Sequence, residues 1–279
     1  MEEERDDPAA EPPVRACDEY VHGPGFYPVR AAGDVPTASA MRHDRRVTDD
    51  DRAPEPIAPD YDERPERIRL ARSVLRDHAL AADVHGRVAA RLVAERLTPV
   101  LDVGCGEGEL ARHLPQGAWV GVDSSPTMLA AAPQPHVLGD AAALPFGDAS
   151  FGAVALLYVL YHLADPAPAL AEARRVLRAG GLVAIAVPSR HDSPELAHGL
   201  SERRLTFDAE LAPGLVAEHF AAVEVERWDA PLVRLPTHAA VRDYLIGKGA
   251  KPDRAAAAAA ATDPPLSVTK RGALVFGRA

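Results

Sequence analysis

The sequence predicts an α/β chain: a doubly wound, mostly parallel seven-stranded sheet with helices on both faces and a helical cover ahead of the first strand. Three observations carry this. Short β-branched or apolar runs alternate with helix-period segments between residues 99 and 187. Those runs lack the in-out alternation of a half-exposed strand, so both faces of each must be covered. A glycine-rich turn, Gly104-Cys105-Gly106-Glu107-Gly108, joins the first run to a helix, as happens at the carboxyl edge of open α/β sheets. With 279 residues, 47% of them hydrophobic, the chain has material for one large core.

The elements follow in order. Residues 1–60 hold 15 acidic and 7 basic side chains, against 26 and 24 in the rest, together with nine prolines and no apolar period. Such a segment cannot bury enough surface to offset its ordering entropy, so residues 1–58 are expected to be a disordered acidic, proline-rich leader and 59–279 the folded domain. A start of translation at Met41 is the alternative. Over 64–97, Ile68, Ala71, Val74 and Leu75, then Val84, Val88, Leu92 and Val93, recur at helical spacing, which predicts two amphipathic helices broken near 80–83. Strands are expected at 100–103, 118–122, 136–138, 151–159 and 182–187, with helices at 109–114, 126–132 and 167–178. Further on come a helix at 208–219, a strand at 223–228, a helix at 237–246 and a last strand at 273–276. The alanine tract 255–261 reads as a low-complexity helix or linker.

Several classes are excluded. Two cysteines, Cys17 and Cys105, build neither a disulfide framework nor a four-ligand zinc site, and no metal site is expected. The start does not read as a secretory signal, and no apolar run reaches the eighteen or so residues of a membrane span, so a cytoplasmic protein without a membrane partner is expected. A near-neutral body argues against non-specific nucleic-acid binding. The three lysines, Lys248, Lys251 and Lys270, read as the signature of GC-rich coding.

The glycine turn invites a ligand, and its chemistry separates the choices. Gly106-Glu107-Gly108-Glu109-Leu110-Ala111 satisfies the G-x-G-x-x-A form of a dinucleotide fingerprint, with Asp123 about twenty residues on. An NAD(P)-dependent oxidoreductase therefore stays in view. Against it, Asp102, Glu107 and Glu109 crowd the place a pyrophosphate would take, and no lysine or arginine in the loop compensates. Such a site prefers a cation or zwitterion. The spacing of a Walker phosphate loop is absent.

Residues 100–108 (VLDVGCGEG) resemble the first motif of class I S-adenosylmethionine-dependent methyltransferases of the type 11 kind, with the Rossmann-like methyltransferase fold. Residues 121–129 (GVDSSPTML), 139–146 (GDAAALPF) and 151–166 resemble the next three motifs, in the family's order. Two departures stand out: Glu107 replaces a small polar residue, and Gly152 replaces an aspartate.

The resemblance implies S-adenosylmethionine as cofactor. It implies that Gly104, Cys105, Gly106 and Gly108 offer backbone to its methionine portion near Asp102, and that Asp123 with Ser124 meets the ribose. Met128 would lie against the adenine face and Asp140 with the Ala141 amide at its edge, and Leu157 would also touch the cofactor. Tyr158 would stand beside the sulfonium and His162 would serve as a base, while Tyr61 would cover the cofactor and Arg64 would meet its carboxylate. Plainer roles stay open: helix packing for Met128, core for Tyr158, loop structure for Asp102 and His162, a surface turn for Tyr61 and Arg64. Asp123 and Asp140 are harder to explain away, because a carboxylate ending a buried strand needs a partner. Tyr161 either lines the acceptor pocket or packs beneath the loop. Residues 189–270 are expected to form the acceptor lid, without a basic cluster, which suits a small-molecule methyl acceptor. A non-catalytic cofactor-binding module and a tRNA or protein methyltransferase are the remaining readings.

Overall fold

The structure, a computed structural model, describes residues 54–57, 59–80, 83–200 and 204–279, and the backbone of 26–29. Cys17, Met41 and most of the segment expected to be disordered lie outside these residues.

The elements are β1 (Phe26–Val29), α1 (Pro65–His78), α2 (Val84–Ala94), β2 (Val100–Val103), β3 (Trp119–Asp123), α3 (Pro126–Leu129), β4 (His136–Leu138) and β5 (Phe151–Leu157). They continue with α4 (Ala167–Val176), β6 (Leu177–Pro188), α5 (Ala212–Ala217), β7 (Ala221–Leu235), α6 (His238–Gly247), α7 (Pro252–Ala260) and β8 (Leu266–Arg278). Short 3-10 turns at Leu110–His113, Leu160–His162 and Pro194–Gly199 interleave with them. One sheet holds all strands in the order β1-β7-β8-β6-β5-β2-β3-β4. Strands β2 to β6 pair in parallel; β8 runs antiparallel to β6 and β7, and β1 antiparallel to β7.

Parity of residue number explains why the central strands read as unbroken apolar runs. Leu101, Val103, Val154, Leu156, Val183, Ile185, Val187 and Val275 point into a core roofed by α4 and α5. Their neighbours Val100, Ala153, Ala155, Leu182, Ala184, Leu274 and Phe276 point into a second core roofed by α2, through Val88, Ala89 and Leu92. Successive side chains alternate faces, so a strand covered on both sides must be apolar at every position. Each fully buried Leu, Ile or Val contributes about 1.5–3 kcal/mol.

All seven expected strands are present, with two differences. The eighth, β1, lies inside the stretch expected to be disordered and pairs Phe26 with Trp228 through Val29 with Val225 along the β7 edge. A four-residue strand has no local period to announce it; its partner is two hundred residues away. The antiparallel β7–β8 pair, joined through α6 and α7, is also far longer than its predicted pieces, at 15 and 13 residues. Its outer half extends past β6 and packs Val233, Leu235 and Val268 with α1, α6 and α7 in a third core. The alanine tract belongs there as helix α7, with Ala255, Ala258 and Ala259 buried. Ala258 packs so closely on Gly199 that a Cβ added to that glycine would lie 2.9 Å from the alanine methyl. Helices α3 and α5 are shorter than predicted. Ser125 caps α3 by accepting from the Met128 amide at 3.1 Å, and Asp208 holds the turn ahead of α5 by accepting from the amides of Glu210 and Leu211.

Candidate functional site

A cavity of about 960 Å³ opens over the carboxyl ends of β2, β3 and β5, roofed by α1 and bounded on its far side by α6 and β8. That is the upper end of the roughly 300–1,000 Å³ usual for small-molecule sites. The glycine loop forms its floor. Gly104 and Gly106 have φ of +69° and +55°, which L side chains rarely adopt, and a Cβ on Gly104 would sit 2.5 Å from a Val159 methyl. Cys105 contributes to the wall; its thiol is turned to Trp119 and Leu129, and burial pushes its pKa up. Gly108 is not part of the wall. Its expected place beside the ligand is replaced by packing, since a Cβ there would meet Pro133 at 2.4 Å.

The carboxylates are placed by backbone and aromatic donors. Asp123, at the end of β3, accepts from the Gly106 amide at 2.7 Å with one oxygen and from the Ser125 amide at 2.8 Å with the other. It thus ties the loop after β2 to the loop after β3 and keeps a further lone pair on each oxygen. Asp102, 4% exposed, accepts from the Trp119 indole at 3.1 Å. Burial is the main reason its pKa is pushed up to about 6. Asp140 accepts from the Ala142 amide at 2.9 Å in an Asx turn, and Asp140 and Ala141 both line the cavity with Ser124, Met128 and Leu157.

Glu107 corrects the electrostatic expectation. No basic residue lies in the loop, but α1 lowers two onto it: Arg69 Nε donates to Glu107 at 2.8 Å and Arg72 Nη1 at 2.9 Å. The compensating charge comes from a helix more than thirty residues upstream, where loop composition could not reveal it. The second departure is steric: a Cβ on Gly152 would lie 2.8 Å from the Thr98 nitrogen.

Arg64 is also corrected. It is 61% exposed on its side chain, pairs with Asp60 at 2.5 Å and lies off the cavity wall. Arg67 and Arg72, one and two turns further along α1, face inward instead; Arg67 donates to Asp60 and, at 2.9 Å, to the Gly247 carbonyl. The 3.6-residue period alone could have named Arg67 and Arg72 as alternatives, but the pattern left the inward face undecided.

Tyr61 and His162 meet across the cavity mouth. The Ile57 carbonyl can only accept, so His162 Nδ1 donates to it at 2.6 Å, and Nε2 accepts from the Tyr61 hydroxyl at 2.7 Å. Burial holds the imidazole below its usual pKa and pushes the Tyr61 hydroxyl up to about 12, so both are neutral. So placed, His162 presents no free lone pair, because Nε2 is already engaged by Tyr61. A second link, from the Ile57 amide to the Tyr161 carbonyl at 3.0 Å, straps this segment over the site, and Asp62 accepts from Ser125 Oγ at 2.6 Å. Tyr161 both lines the cavity and packs on the core below.

Tyr158 lines the cavity just past β5 with φ of +63°, a strained value of about 1–3 kcal/mol for a non-glycine residue. Asp83, Glu109 and His113 place ligand-type atoms within 4.8 Å at the rim, but they are largely exposed and paired, His113 with Asp83 at 3.2 Å and Glu109 with Arg112 at 2.8 Å. Lys248, Lys270 and Asp192 on the far wall were missed altogether.

One crevice thus gathers the ends of a doubly wound sheet, a glycine loop, strand-end acids and a roofing helix. Residues 101–185 match the protein family described as "Methyltransferase domain". Two relatives are a demethylmenaquinone methyltransferase of Roseiflexus castenholzii, 42% identical over 36% of this chain, and a malonyl-[acyl-carrier protein] O-methyltransferase of Dechloromonas aromatica, 35% identical over 52% of it. The chain spans 46% and 60% of those relatives' own lengths. A SAM-dependent methyltransferase structure from Thermotoga maritima aligns with a TM-score of 0.52 at 17% identity, over 78% of this chain and 97% of that one, and shares the fold.

Proposed function

We propose that this chain transfers a methyl group from S-adenosylmethionine to a small organic acceptor by in-line displacement inside the 960 Å³ cavity. The observation carrying this reading is the pairing of a bare backbone cradle, Gly104 to Gly106, with two buried carboxylates, Asp102 and Asp123, in one crevice. That donor set fits the cofactor: acids suit an ammonium and ribose hydroxyls, and the glycine cradle admits a chain that a Cβ would displace. When bound, S-adenosylmethionine supplies a methyl on a positively charged sulfur, already joined to a good leaving group.

The protein's contribution is alignment and exclusion of water. Asp123, fixed by two amides, presents its free lone pairs to hydroxyl donors. Asp102 supplies a negative charge near the loop, and Arg72, over Gly106, is the cation suited to a carboxylate there, in the role expected of Arg64. Asp140, Ala141, Met128 and Leu157 line the same cavity and would offer an adenine apolar surface with a polar edge. Tyr158 is a neutral wall, its hydroxyl held protonated by burial. His162 positions Tyr61 and the strap bearing it, and removes no proton directly. The names of the two relatives support small acceptors, and no described helix is long and apolar enough to cross a membrane.

Calorimetry with S-adenosylhomocysteine tests the reading. Wild-type protein is expected to bind in the micromolar range. Asp123→Ala, which removes a charged acceptor worth about 1.5–3 kcal/mol, is expected to weaken binding roughly ten- to a hundredfold. Binding of NAD(H) with no binding of S-adenosylhomocysteine would establish the oxidoreductase instead, and cofactor binding without label transfer from methyl-labelled cofactor to any extract component would establish a binding module.

A further inference from the structure

The wall facing the glycine loop carries a charge that the methyl-donor chemistry does not use. Of the chain's three lysines, Lys248 and Lys270 both line this cavity. Both ammonium groups converge on one carboxylate oxygen of Asp192, Lys248 at 3.1 Å and Lys270 more closely still. The other Asp192 oxygen is taken by the Arg271 amide at 2.9 Å. Two cations therefore share one anion, leaving an excess positive charge at this part of a wall that also bears Leu232 and Val233.

The two lysines are not equivalent. Lys270 donates to Asp192, to Tyr244 Oη at 2.9 Å and to Ser193 Oγ at 3.2 Å, which uses all three of its hydrogens. Lys248, at the carboxyl end of α6, donates among the described residues to Asp192 alone, and its Nζ lies 5.8 Å from the centre of the Tyr244 ring. Its side chain is 34% accessible and contributes to the cavity wall. Burial works against its charge, and Asp192 alongside more than offsets that, so the group stays an ammonium and not a base. A cation fixed by Asp192, with unspent donors and a place on the wall of a cavity, suits an anion.

We propose that the acceptor is an organic anion with an apolar body, its acid group seated on Lys248 while Lys270 holds Asp192 and supplies the second positive charge. The inference rests on the methyl-transfer reading for the word acceptor; the anion site itself does not. It explains why lysine, nearly absent elsewhere, is spent twice here.

The test uses the full chain saturated with S-adenosylhomocysteine and titrated calorimetrically with hexanoate and 2-naphthoate, each against its own carboxamide. The acids are expected to bind about tenfold tighter than the amides, as one charge-assisted contact supplies. Lys248→Met is expected to erase that preference and Lys248→Arg to retain it, both with unchanged S-adenosylhomocysteine affinity; Lys248→Gln serves if the methionine variant does not fold. Equal binding of acid and amide, no binding of either at millimolar concentration, or a preference surviving in Lys248→Met would overturn the proposal. Should S-adenosylhomocysteine itself fail to bind, the methyl-transfer reading falls, and the same acid-against-amide comparison without it still decides the anion site.

Discussion

Asp102 shows how one buried side chain trades stability against ligand affinity. Its folded pKa, pushed up to about 6 from the usual 3.8 chiefly by burial, means the native state binds a proton more tightly than the unfolded chain does. Its share of stability is therefore fully present below pH 3.8, is lost as pH rises toward 6, and stays lost above, a cost of about 3 kcal/mol at neutral pH. Asp102→Asn keeps an acceptor for the Trp119 indole without the charge, so its urea midpoint at pH 7 is expected to exceed wild type, and the slope of stability between pH 4 and 6 to flatten. The same charge attracts an ammonium. Wild-type affinity for S-adenosylhomocysteine is expected to fall as pH drops below about 6 and Asp102 takes up its proton, while the asparagine variant binds weakly at every pH. A calorimetric pH series with no change through that range would remove Asp102 from the ligand's surroundings.

At the level of elements, α1 and α6 decide what the cavity can hold. They cross at Gly247, where a Cβ would lie 2.8 Å from Ala71, and that closeness lets Arg67 reach the Gly247 carbonyl and sets Lys248 at the rim. Gly247→Ala forces backbone apart, an overpacking cost of about 1–3 kcal/mol. Scanning calorimetry should show the melting temperature down by about 2–4 °C for each kcal/mol. The informative result is a split: KM for the acceptor rises more than S-adenosylhomocysteine affinity falls, because α6 carries Lys248 itself whereas Arg72 is the one proposed cofactor contact that α1 bears. Equal losses in both would mean that the helix contact serves the whole fold and not the acceptor wall.

For the whole molecule, the ligand crevice is where separate parts of the chain meet: Ile57 with residues 59–62, α1, the strand ends and the outer part of the β7–β8 pair. A ligand there stabilises every part at once by mass action, by about 2.7 kcal/mol at a hundred times its dissociation constant. S-adenosylhomocysteine at that excess is expected to raise the melting temperature of the wild type by several degrees and that of Asp123→Ala much less at the same concentration. An unchanged melting temperature for the wild type would contradict cofactor binding to the native state.

The mostly parallel sheet and the acid-lined glycine loop were legible because each rests on local rules: unbroken apolar runs mean two covered faces, and Gly104 and Gly106 hold backbone angles other residues avoid. Asp123, Met128, Asp140 and Leu157 came with the same motifs, each within one turn or strand end of the crevice. The pairing of β1 with β7, the turning of Arg67 and Arg72 rather than Arg64 into the cavity, the engagement of His162 by Tyr61, and the convergence of Lys248 and Lys270 on Asp192 were decided only by tertiary structure. Each joins residues far apart in the chain, and which faces meet depends on the packing of whole helices and strands, a property no short window of sequence contains.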